Sequence, residues 1–235
     1  HGNYRGHYPT VSRDVARKAL GIASDSRCVL LFGRLTRYKG GDLLIQALND
    51  LSETSLHLLV VGKQPFDRLE IPEGLRDRST VIDRFVDDQE VAQAFAAADG
   101  VALPYQEILT SGTLFLALGA ERPVILPRLP TLLEAAQEEM AFSYQPGQKE
   151  SLCQALKAFA DADPGDLSMM GERGAAYAMD HDWHLAGRQL SDILHGILTR
   201  RPMASFGRID PAEEQRQQEP DYLKPLTRPL LDAAE

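Results

Sequence analysis

"CVLLFGRLTRYKGGDLLIQAL" (residues 28–48) holds a strand, a turn and a helix start in 21 residues. The run 28–33 is apolar without alternation, which is how a strand covered on both faces reads. It ends at Gly33, and a helical pattern begins near Gly40–Gly41 and runs to 51. Between them stand Arg34, Arg37 and Lys39, three cations in a chain whose net charge is -9. The charge is uneven: residues 1–45 carry eight cations against three anions. Overall acidity argues against nucleic acid as a partner, since that role calls for excess Lys and Arg.

Outward from this unit the pattern repeats. Strands are expected at 28–33, 57–62, 80–85, 100–105, 123–127 and 141–145. Helices are expected near 12–20, 41–51, 88–98, 112–121, 130–138, 149–160, 167–179 and 183–199, with Ser12 as N-cap and Gly21 as stop for the first. Alternation of strand and helix implies an α/β fold, a parallel sheet of about six strands with right-handed crossovers. Residues 200–235 change character to a Pro/Gln/Glu-rich tail. Cys28 and Cys153 fit neither a disulfide framework nor a zinc site, so a reducing, cytoplasmic setting is expected. No apolar run approaches the roughly 18 residues of a membrane span, and no secretory signal is seen. The chain opens on His1, which reads as a fragment or a processed product.

In a parallel sheet, ligands bind beyond the carboxyl ends of the strands. Gly33 and Gly40 allow close approach of a ligand to backbone, and the free N–H groups of a helix start favour an anion. Arg34 and Lys39 then converge above the sheet, and a diphosphate suits that space. A second stretch, "LPYQEILTSGTLFLALGAERPVILP" (103–127), places Glu107, Thr110, Ser111, Gly112 and Thr113 in a loop entering the next helix. Ser-Gly-Thr there serves as a cap, or as an anion seat of N–H groups and hydroxyls. Both loops fall on the same sheet edge, which favours the anion seat.

These stretches, with "LLVVGK" (58–63), "VIDRFVDDQEVAQAFAAADG" (81–100) and "HDWHLAGRQLSDIL" (181–194), resemble the C-terminal, donor-binding half of a GT-B glycosyltransferase of the family 4 type. The likeness covers about residues 1–199. It implies a Rossmann-like, doubly wound sheet with helices on both faces, one half of a GT-B fold. It also implies a nucleotide-diphosphate sugar as substrate and transfer of a hexose to an acceptor hydroxyl on a glycan, lipid or small molecule. Arg34 and Lys39 would hold the donor diphosphate beside Gly33. Asp83, Arg84, Phe85 and Val86 would line the base pocket. Thr110, Ser111, Gly112 and Thr113 would contact phosphate. The family carries two Glu across the last loop and helix, but Ile108 and Leu116 stand at those places here. Glu107, one residue off the first, is then the carboxylate that faces the donor sugar.

The resemblance further implies retention of anomeric configuration, no metal, no cofactor, and an acceptor domain preceding His1, through which peripheral membrane contact would occur. "DAD" (Asp161–Asp163) and "DHDWH" (180–184) imitate metal clusters. The first reads as turn chemistry before Pro164; in the second Asp182 reads as an N-cap and Trp183 as a packing anchor. The competing reading is a degenerate nucleotide-sugar-binding or partner module, favoured by Ile108 and Leu116. A receiver-type domain would need an acidic cluster where Gly33 and Arg34 stand.

Overall fold

Alternate residues of the apolar run 28–31 face opposite ways. Cys28 and Leu30 enter one core, Val29 and Leu31 the other. A strand so used must be covered on both faces. The structure, a computed structural model, describes Tyr4 and residues 6–64, 69–136, 139–181 and 183–198. The tail at 200–235 and the expected N-cap Asp182 lie outside the described residues. Two compact units divide the chain, His1–Arg188 and Gln189–Glu235, and the sheet belongs to the first.

Six strands form one sheet: β1 (Arg27–Phe32), β2 (Leu56–Val61), β3 (Ser79–Ile82), β4 (Gly100–Ala102), β5 (Val124–Pro127) and β6 (Ala141–Tyr144). Their order is β3-β2-β1-β4-β5-β6, and every neighbouring pair is parallel. This is the doubly wound Rossmann order. On one face lie α1 (Arg13–Leu20), α4 (Asp88–Ala97) and α5 (Gly112–Gly119), which contribute Ala16, Phe95 and Leu114 to the core. On the other lie α2 (Gly41–Asp50) and α7 (Lys149–Asp161), which contribute Leu44, Leu48, Leu156 and Phe159. Short helices α3 (Glu73–Arg76) and α6 (Pro130–Leu133) and the later α8 (Pro164–Met179) and α9 (Trp183–Leu198) complete the described order.

Local chemistry sets the boundaries. Ser12 caps α1 through its hydroxyl, and Gly21 closes it in the left-handed region, both as expected. Two strands stop three residues short of their expected ends. β3 ends at Ile82 because the Asp83 carboxylate accepts the Gln64 N–H at 3.0 Å. β4 ends at Ala102 because Pro104 has no N–H and Tyr105 N–H bonds back to Leu103 O at 2.7 Å, closing a three-residue turn. The helix expected at 130–138 is one turn, and α8 starts at Pro164 rather than 167. Asp163 of the "DAD" motif is its N-cap residue, with its carbonyl accepting from Leu167 N–H.

Candidate nucleotide-sugar site

The sheet order switches direction between β1 and β4, since the chain runs outward through β2 and β3 and returns to the other side of β1. Carboxyl ends at such a switch point form a crevice where ligands bind. The stretches after β1 and after β4 both start there, so the fold brings together the two loops singled out in the sequence.

The loops are locked to each other. Gln106 N–H donates to Tyr38 O at 2.9 Å. A Cβ on Gly40, at φ +66°, would lie 1.9 Å from Pro104 O. Gly40 therefore makes room for the neighbouring loop's carbonyl, not for a ligand as expected from sequence. Gly33 is different. It sits at φ +104°, and a Cβ there would lie 2.8 Å from Lys39 Nζ and 3.7 Å from Thr113 Oγ1. The ammonium of the first loop and the hydroxyl of the second thus meet over Gly33.

Lys39 ends a 3-10 turn (Arg37–Lys39) and is 9% exposed. Its Nζ donates to Phe32 O at 3.3 Å and lies 5.7 Å from the Tyr105 ring centre. Among the described residues no carboxylate pairs with it. Burial alone pushes its pKa down to about 8. Arg34 is exposed, and its side chain makes no hydrogen bond or ion pair with described residues. One loop therefore carries a buried cation and an open one.

Across from them, Ser111 caps α5, its Oγ accepting from Leu114 N–H at 3.1 Å. The same oxygen lies 3.0 Å from the Tyr105 hydroxyl. Burial raises the Tyr105 pKa, while the hydroxyls of Ser111 and Thr113 pull it back down. Gly112 and Thr113 open the helix and are half-buried; Thr110 and Glu107 are exposed.

The remaining expected residues lie elsewhere on this edge. Asp83, Arg84, Phe85 and Val86 follow β3, two strands out from β1. Arg84 is bound by Glu90, with Nη1 donating to Oε2 at 2.7 Å. That guanidinium, then the Asp87 backbone, holds the Glu90 carboxyl at about 2. Phe85 is 81% exposed, and Val86 packs against the core. Ile108 also packs on that core, and its carbonyl accepts from Thr131 Oγ1 at 3.0 Å. Leu116 is buried within the core. Trp183 is half exposed and meets Tyr4 edge to face at 6.3 Å. Among the described residues no cluster of His, Cys, Asp and Glu is placed to hold a metal, and no helix is long and apolar enough to cross a membrane.

Residues 26–161, more than half of the chain, match the family described as Glycosyl transferases group 1. The chain belongs to this family. A GDP-mannose:glycolipid 4-beta-D-mannosyltransferase of Xanthomonas campestris is 30% identical over 131 residues, covering 54% of this chain and 35% of the relative. A D-inositol 3-phosphate glycosyltransferase of Streptomyces griseus is 29% identical over 220 residues, covering 86% of this chain and 46% of the relative. The chain spans less than half the length of these curated relatives. In fold it resembles Anabaena HepE, solved with UDP and glucose, at a TM-score of 0.69 and 19% identity over 82% of this chain and 55% of that one. It also resembles the C-terminal domain of LpcC, a glycosyl transferase group 1 protein of Francisella tularensis, at 0.61 and 18% identity, over 74% of this chain and 94% of that domain. The six-stranded unit fits the C-terminal half of a GT-B fold.

Within this group 1 glycosyl transferase chain, sequence reasoning missed Tyr105 and Pro104. Tyr105 closes an apolar run and reads as the end of a strand. The one available signal is a phenol where a phenylalanine would serve, just before a loop rich in hydroxyls.

Proposed function

We propose that this chain is the donor-binding half of a glycosyltransferase of the family 4 type, moving a hexose from a nucleotide-diphosphate sugar to an acceptor hydroxyl. One observation carries the reading: the ammonium of Lys39, in the turn after β1, is buried and has, among the described residues, only a carbonyl as hydrogen-bond partner. An uncompensated buried charge is costly, and a ligand anion supplies the missing compensation. The diphosphate is assigned between Lys39 and Arg34 on one side and the start of α5 on the other. As the glycosidic bond breaks, negative charge grows on the leaving phosphate. Fixed cations and helix-end N–H groups stabilise that charge more in the transition state than in the ground state. Arg34 grips oxygens bidentately, and Lys39 acts as a point charge.

The finer features belong to the same proposal. Glu107 faces the transferred sugar. Arg84, Phe85 and Val86, with Asp83, border the base, where the open Phe85 ring offers a stacking surface. Transfer proceeds without metal and with retention, the donor phosphate taking the acceptor proton. The acceptor, a glycan, lipid or small molecule, is held by a second domain outside these 235 residues. Residues 1–199 form the donor unit and 200–235 a tail, and the two free cysteines suit a cytoplasmic setting. The test is a thermal-shift panel of UDP, GDP and ADP with their sugars. A nucleotide at 100 times its Kd adds about 2.7 kcal/mol of stability, so one base should stand out. No shift with any of them would defeat the reading. Anomeric NMR of the product made by the complete protein decides retention; an inverted linkage would refute that part.

A second reading is favoured by Leu116, which lies in the core, and by Glu107, which is exposed with no described partner. It is a binding module that holds the nucleotide sugar without transferring it. Transfer assays on the complete protein separate the two.

A further inference from the structure

Tyr105 bears on the cation of one half of the site and on the helix cap of the other, yet nothing in the proposed chemistry requires it. It is 3% exposed, at the turn after β4. A ring alone would fill that space. A phenol in such a place calls for a polar partner, because an unpaired buried hydroxyl costs stability. The partner is Ser111 Oγ at 3.0 Å, with the Thr113 hydroxyl also acting on the phenol. Ser111 in turn accepts the Leu114 N–H that starts α5. On its other side the ring lies 5.7 Å from Lys39 Nζ and 6.2 Å from the Tyr38 ring. The negative face of an aromatic ring attracts an ammonium, so the same side chain bears on the cation and on the helix cap.

Resting on the proposed diphosphate site, we infer that Tyr105 is a positioning residue that couples the two halves of that site. Its ring orients the Lys39 ammonium, and its hydroxyl sets the Ser111–Thr113 turn so that the helix-end N–H groups and the ammonium address the same anion. Three-residue closure at Pro104 and the Gly40–Pro104 contact fix where the ring emerges. The coupling is therefore built into the crossing of the two loops rather than induced by the ligand.

Tyr105→Phe keeps the ring and removes the hydroxyl. Titration calorimetry of the 235-residue chain with GDP, UDP and inorganic pyrophosphate should show affinity falling about tenfold for the preferred diphosphate, the size expected for one lost hydrogen bond to a charge-binding turn. Thr113→Val should likewise weaken binding in the parent chain and have little further effect in the Tyr105→Phe background. Ile45→Val, a core change on the opposite face, serves as the stability control and should leave affinity unchanged. Equal binding by Tyr105→Phe and the parent, additive losses in the double variant, or the same affinity loss in Ile45→Val would each overturn the inference. Lys39→Ala is measured alongside. If it alone loses affinity, the diphosphate site stands and the role of Tyr105 falls. If it binds as the parent does, the site and the role of Tyr105 fall together.

Discussion

Two buried cations stand at opposite edges of one sheet, and they are treated in opposite ways. Arg17, 2% exposed, lies at the amino edge beneath β1 and β4. Its guanidinium donates to Ala97 O, Ala23 O, Ser24 O and Ser26 O, and to Asp99 Oδ2 at 2.6 Å. The same carboxylate oxygen takes the Cys28 N–H at 2.7 Å. Every donor group of Arg17 has a protein partner, and the cluster ties α1 to the starts of both central strands. Lys39, at the carboxyl edge of the same β1, has one carbonyl at 3.3 Å and no described carboxylate. A saturated cation belongs to the fold. An unsaturated one is held in place by the fold for something else.

That contrast predicts mutants that separate stability from binding. Arg17→Met should be the costliest change, about 3–5 kcal/mol, because it leaves Asp99 with only the more exposed Arg13 as a cationic partner and takes the Arg17 donors from four carbonyls. Urea unfolding measures it, and nucleotide affinity per folded molecule should not change. A loss below about 1 kcal/mol would dissolve the distinction.

A pH effect of about 3 kcal/mol over the whole window, about 1 kcal/mol of it between pH 8 and 9, is expected at Lys39. Its folded pKa is lowered to about 8 from 10.5. Above pH 8 the unfolded chain binds more protons than the folded one, so this group makes stability rise with pH up to about 10.5. Cys28, pushed up to about 12 by burial, acts in the opposite sense from pH 9 upward. The slope is therefore read between pH 8 and 9 as the difference between the parent and Lys39→Met. Parallel curves would show that Lys39 is not desolvated.

Smaller still is Tyr144→Phe. The Tyr144 hydroxyl is buried without a partner among the described residues, and burial raises its pKa. Removing it should be neutral or stabilising by up to about 1 kcal/mol, since no bond is lost. A clear loss in thermal denaturation would reveal a partner. The smallest effect is expected at the exposed Arg84–Glu90 pair. Glu90 has a depressed pKa, so its contribution is whole above the ordinary carboxylate range and fades as pH falls toward about 2. Melts of Glu90→Gln and the parent should converge over that window; a gap that widens on acidification would contradict the pairing.

Much of this was legible in the sequence for a physical reason. A strand buried on both faces has no polar positions, so "CVLLF" declares itself, and parallel topology then forces both loops onto one edge. Boundaries were less legible. "GVALPY" reads as one strand because Leu103 is as apolar as Val101 and an aromatic residue such as Tyr105 suits a strand, and only the missing N–H of Pro104 ends the pairing. Gly40 illustrates a limit of another kind. A glycine announces a close approach but not by what, and here the neighbour is Pro104 O rather than a ligand. Tyr105 escaped notice because its role depends on a bond to Ser111 and on nearness to Lys39, neither of which spacing along the chain reveals.

The central claim is that Lys39 is unsaturated because it serves a donor diphosphate. Titration calorimetry of the parent and Lys39→Met with UDP and GDP, paired with their melting curves at about pH 7, where the parent ammonium is charged, tests it most directly. Lys39→Met should melt at or above the parent and lose about 1.5–3 kcal/mol of affinity for the preferred nucleotide diphosphate. A variant that melts well below the parent while binding as tightly would contradict the claim.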